Sequence, residues 1–196
     1  RSHLPALVLA IEEPELYQHP SRQRHMASLL LRLSEGLVPG VASVTQVLYS
    51  THSPLFVGLD RFDRLRLLRK ADGMAGKPRV TRVFAADLDA VAEEIWRGAG
   101  AQGERYTAAT LRPRLQAVMT PWVNEGFFAD IVVLVEGEDD RAAILGVASL
   151  GGRDFDGEGI AVIPCIGKNN LDRPLVIFRR LGIPVYVIWD GDFGGK

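Results

Sequence analysis

Six acidic residues stand where phosphate chemistry would need them. Glu12 and Glu13 directly follow the continuous apolar run of residues 6–11 (ALVLAI). Glu136 directly follows the apolar run Ile131 to Val135, and Asp140 comes one helical turn later. Asp190 and Asp192 directly follow Val185 to Trp189. A short apolar run ending abruptly in acids is the pattern of a buried parallel strand, and ligands of α/β sheets bind at the carboxyl ends of such strands. Carboxylates gathered there repel one another unless cations lie among them. Hard oxygen donors favour Mg²⁺ or Mn²⁺ over zinc.

Taken singly, each acid has a plainer reading. Adjacent glutamates after a strand are often a surface turn, a lone histidine is usually structural, and Glu138, Asp139 and Asp140 suit a helix N-terminus. Their joint spacing is what carries weight.

The elements that must position these residues can be read from periodicity and breakers. Pro20 and Ser21 open a helix with Met26, Leu29, Leu30 and Leu33 at helical spacing, broken by Gly36, Pro39 and Gly40. Gln46 to Ser50 is a second strand, ending at Thr51-His52-Ser53-Pro54. Leu65 to Leu68 and Arg79 to Phe84 read as a hairpin around the turn-rich Ala71 to Pro78, followed by a helix over Asp87 to Trp96. Gly98 to Gly103 is a linker, and a helix follows around Arg114 to Val123. Beyond it the chain alternates strand 131–135, helix 139–148, strand 160–164, helix 175–181 and strand 185–189. This βαβαβ order predicts a parallel, Rossmann-like sheet with right-handed crossovers.

The run LVLAIEEPEL resembles the Walker B region of ABC-type ATPases, and YSTHSP, about 40 residues later, resembles their switch-histidine segment. The resemblance implies that Glu12 helps to hold Mg²⁺, that Glu13 orients the attacking water, and that His52 senses the γ-phosphate of ATP. Tyr17-Gln18-His19-Pro20 takes the place of the D-loop. No G-x-x-x-x-G-K-[ST] P-loop occurs in the sequence, Ala75-Gly76-Lys77-Pro78 being the nearest string, and no LSGGQ-like segment. The expectation is a fragment that begins inside the ATPase domain.

IVVLVEGEDDRAAI with VYVIWDGD resembles the Toprim domain of topoisomerases, primases and OLD-family nucleases. The resemblance implies that Glu136 is a metal ligand or general acid/base, Asp190 and Asp192 are metal ligands, and Asp140 is a further ligand or support. Lys168, in Ile166-Gly167-Lys168-Asn169, and Lys196 are candidates for meeting DNA phosphate. An ATPase end followed by Toprim is the arrangement of the OLD family of ATP-dependent nucleases. It implies an α/β chain with ATPase residues 1–97, a linker or helical segment 98–126 and a truncated Toprim domain 127–196. It also implies a DNA endonuclease with a two-metal site, working as a homodimer or higher homo-oligomer in phage defence or DNA repair.

Bulk properties set limits. A net charge of −1 excludes a general basic field, so any DNA contact must be local. Local basic groups are Arg61, Arg64, Arg66, Arg69 and Lys70, then Arg112 and Arg114, then Arg179 and Arg180. The single cysteine, Cys165, allows no internal disulfide and fits a cytoplasmic protein. No apolar run is long enough to span a membrane. Two rival readings are an SMC-like DNA-binding ATPase with a non-catalytic Toprim assembly module, and a haloacid dehalogenase-type phosphatase. The second places its D-x-D segment first, whereas here it comes last. A topoisomerase would need a nucleophilic tyrosine, for which Tyr17, Tyr49, Tyr106 and Tyr186 offer no context.

Overall fold

The structure is a computed structural model that describes residues 6–42, 44–71 and 78–191. Packing divides the chain into two units, residues 1–56 and 57–196.

The first unit is a parallel strand–helix–strand crossover. Strand β1 (Leu7–Glu12) pairs with β2 (Thr45–Ser50) in a register that sets Glu12 opposite Ser50, so both strands end at one level. Helix α1 (Pro20–Ser34) crosses between them. Pro20 suits its first turn, where an amide N–H would have no helical partner. Its apolar face buries Ala27 and Leu30 against Phe56, with Leu9, Ile11 and Val47 packed around them. The Tyr49 hydroxyl donates to the Phe56 carbonyl at 2.7 Å and the two rings meet edge to face. This contact fastens the chain that leaves β2.

The second unit centres on a three-stranded parallel sheet in the order β6-β5-β7. Strands β5 (Ile131–Val135), β6 (Ile160–Pro164) and β7 (Val185–Ile188) are linked by α5 (Glu138–Leu150) and α6 (Asp172–Arg180), the alternation that the sequence predicts. The antiparallel hairpin β3 (Leu67–Ala71) and β4 (Val80–Phe84) also forms; β3 begins two residues later than the apolar pattern suggests. Helix α2 (Leu88–Gly98) starts at Asp87, whose side chain accepts the Ala90 N–H at 3.0 Å.

The single helix expected over Arg114 to Val123 is instead two, α3 (Ala108–Ala117) and α4 (Pro121–Glu125). Pro121 has no N–H to continue a helix, and the Thr120 side chain caps the new start by accepting from Val123 N–H.

One apolar core serves this whole unit. Leu134, Ile163, Ile177, Phe178 and Leu181 from the sheet and α6 pack with Leu59, Phe62, Val91, Leu111 and Leu115 from the preceding segments. Packing thus puts residues 57–126 on the core of the βαβαβ segment, whereas the bounds 1–97, 98–126 and 127–196 sort the chain by motif. At Gly182, with φ of +72°, an added Cβ would lie 2.5 Å from the Phe84 ring. Only glycine allows the hairpin to lie this close behind α6.

Candidate functional site

Two sites are built, one in each unit, and both sit at carboxyl ends of parallel strands. In the first, the Glu13 N–H donates to the Ser50 carbonyl at 3.0 Å, continuing the β1–β2 ladder one residue past the end of β1. Glu13 has φ of +44°, in the left-handed region that non-glycine residues rarely adopt. Such positions cluster at functional sites. The Glu13 carboxylate then lies 3.6 Å from His52 Nε2, and the imidazole is 83% exposed. Glu12, on the last residue of β1, is exposed beside them.

Sequence reasoning assigned no role to Glu15, which organises this site. One of its carboxylate oxygens accepts the Thr51 hydroxyl at 2.8 Å and the other accepts the His52 N–H at 2.6 Å. Burial raises the Glu15 pKa, but the His52 and Glu15 backbone N–H groups, the Thr51 hydroxyl and the His52 charge outweigh it, and the net shift is downward. Gln23 adds a second tie, since its amide oxygen accepts the Ser53 hydroxyl at 2.8 Å and its nitrogen donates to the Gln18 carbonyl at 2.9 Å. The segment that carries His52 is thereby pinned to the turn that follows β1. A third glutamate two places after the pair was the available signal; its partner, 36 residues away, was not legible.

The second site joins three strand ends. Glu136, the first residue after β5, accepts the Asp190 backbone N–H on Oε1 at 3.1 Å. The Glu136 carbonyl accepts the Gly167 N–H at 2.8 Å, which ties in the loop after β6. Lys168, on that loop, donates from Nζ to the Asp190 carbonyl at 3.3 Å. Glu136, Lys168 and the Asp190 backbone are therefore neighbours.

Asp140 faces its own helix: its Oδ2 accepts the Gly137 N–H at 3.0 Å and so closes the first turn of α5. Among the described residues, no three His, Cys, Asp or Glu side chains converge as a metal-holding group. Asp192 and Lys196 lie outside the described residues.

A brace behind Lys168 also escaped sequence reasoning. Ile166 and Gly167 have φ of +57° and +108°, turning the chain sharply out of β6. The Asn170 amide nitrogen donates to the Ile166 carbonyl at 2.8 Å, and the buried Arg173 guanidinium donates to the Asn170 side-chain oxygen at 3.1 Å. A buried arginine is costly without hydrogen bonds, so this one restrains the loop that it bonds. Nearby Cys165 is pushed up to about 12 by burial, with the Asp172 charge adding to the effect, which leaves it an unreactive thiol.

Both donor sets suit a hard divalent cation, since Glu12 and Glu13 in one site and Glu136 and Asp190 in the other offer carboxylate oxygen.

Residues 127–192 match the Toprim domain family described as overcoming lysogenization defect protein-like. Residues 1–57 match an AAA ATPase domain family, whose match ends where the first packing unit ends. The chain is 34% identical over 182 residues to the OLD nuclease of Thermus scotoductus, across 93% of this chain and 30% of that protein. It is 24% identical over 190 residues to the Old nuclease of Escherichia phage P2, across 95% of this chain and 28% of that one. A 70-residue stretch is 46% identical to the uncharacterized protein YbjD of Escherichia coli, across 35% of this chain and 12% of that protein. The chain thus spans under a third of the length of the relatives it matches.

Proposed function

The chain belongs to the OLD family, with an AAA-type ATPase part followed by an OLD-like Toprim domain, and on that premise we propose that it forms the cutting part of an ATP-coupled DNA endonuclease. The observation that carries the reading is the hydrogen bond from the Asp190 backbone N–H to the Glu136 carboxylate, which joins the ends of two adjacent parallel strands beside Lys168.

Glu136, Asp190 and Asp192 are the residues that would hold the metal, and Asp140 supports them by fixing the turn that carries Glu136 and Gly137. A Mg²⁺ or Mn²⁺ pair held there would supply an activated water and stabilise the leaving 3′ oxygen. Glu136 would serve as a metal ligand or as the general acid/base. Lys168 and Lys196 would neutralise phosphate next to the carboxylates, which would otherwise repel the substrate.

In the ATPase unit, Glu12 takes the role of Mg²⁺ ligand, Glu13 orients the attacking water, and His52 senses the γ-phosphate. The Glu15 ties that pin the His52 backbone support this assignment, because a sensor must hold its position relative to Glu13. Homodimerisation, a cytoplasmic setting and service in phage defence or DNA repair complete the proposal; among the described residues no helix is long and apolar enough to cross a membrane.

The test is conversion of supercoiled plasmid by the full-length protein in EDTA, Mg²⁺ or Mn²⁺, with and without ATP. Nicking in either metal and none in EDTA is the expected result. Absence of nicking under all conditions would favour the SMC-like reading, in which the Toprim module serves only for assembly.

A further inference from the structure

Residues 64–84 hold seven Lys and Arg against one Asp, a net charge of +6 in a chain whose total is −1. Strands β3 and β4 lie in this stretch, and their register makes the concentration unusual. Arg69 stands directly opposite Arg82. Like charges directly across an antiparallel pair are destabilising. Arg69 donates to Asp130 at 2.9 Å and to the Ala129 carbonyl, which docks β3 beside the start of β5. Arg82 is exposed, as is Lys70, which stands opposite Thr81. On the face that carries Lys70, Leu68 and Val83 form a cross-strand apolar pair, each more than 60% exposed, while Arg82 stands on the opposite face.

We propose that the β3–β4 hairpin is a DNA-docking ribbon, with Lys70 and Arg82 meeting backbone phosphates of duplex DNA. The proposal rests on the nuclease reading for its choice of polyanion. Charge complementarity is the argument: the rest of the chain has a net charge of −7, so this stretch is where the sequence concentrates attraction for phosphate. A two-stranded ribbon also fits the width of the major groove. The hairpin shares the core of the unit that holds Glu136 and Asp190, since Leu67 packs against that core and Phe84 lies against Gly182. DNA held there stays attached to the unit that would cut it.

The experiment measures affinity of the full-length protein for a short duplex of arbitrary sequence, in EDTA so that nothing is cut, between about 50 and 200 mM salt. The variants are Lys70→Gln/Arg82→Gln and the charge-keeping Lys70→Arg/Arg82→Lys. The first pair weakens binding by roughly tenfold or more at low salt and flattens the slope of log affinity against log salt by about 2, one unit per lost phosphate contact. The second pair restores both. Unchanged affinity and slope in the first pair would overturn the proposal. So would equal weakening in both pairs, since that would trace the loss to shape rather than charge. Cleavage is read separately: hairpin-dependent binding without cutting in Mg²⁺ or Mn²⁺ sinks only the nuclease reading, whereas cutting with hairpin-independent binding sinks only this one.

Discussion

Glu15 bonds to the backbone and side chain of a segment far along the chain, and pH should reveal the tie. Its folded pKa is depressed, so the stabilisation is fully present above the ordinary glutamate range and is lost as pH falls through the folded value. Glu15→Gln should cost about 1 kcal/mol at neutral pH, a modest figure because the group is partly solvated and therefore screened. Urea midpoints followed from neutral to acid pH should show the wild type converging on the variant as acid is added. Parallel curves would remove Glu15 from the account. Cys165 gives a second check at this scale. Burial pushes its thiol up to about 12, so alkylation at neutral pH should be negligible until the protein is unfolded. Rapid labelling of the folded chain would contradict the packing described around the end of β6.

At the scale of elements, β1, β5, β6 and β7 were the most legible because each is a short apolar run closed by an acid or a turn. The acids at their ends were legible for the same reason, so Glu136 and Asp190 could be placed together before any coordinates. Ties between distant side chains could not be read: the Glu15–Thr51 bond depends on which loops the fold brings side by side. Helix ends failed where proline intervened. Thr120 and Pro121 together end one helix and start another, a cap whose force is local geometry rather than periodicity. Thr120→Ala should cost about 1 kcal/mol by freeing the Val123 N–H. Gly182→Ala should cost more, about 2 kcal/mol or above, because it meets the Phe84 ring and a left-handed φ together. Thermal melts of the two variants should rank in that order, and a neutral Gly182→Ala would mean that the hairpin does not rest where it is described.

For the whole molecule, packing and motif sort the chain differently. The AAA match and the first packing unit both end at residues 56–57, so the hairpin, α2, α3 and α4 fold as part of the body that carries Glu136 and Asp190. Composition gave no sign of this, because the shared core draws on residues far apart in sequence, from Leu59 to Ile183. The chain's near-neutral charge likewise hides a basic ribbon on an otherwise acidic body. The central claim, that Glu136 and Asp190 form the reactive centre of a nuclease, has one direct test. Rates of plasmid nicking in Mn²⁺ should be compared for wild type, Glu136→Gln and Asp190→Asn, with urea midpoints confirming that each folds. The account predicts that each variant loses roughly a hundredfold or more in rate while remaining folded. Nicking at the wild-type rate by either variant would contradict it.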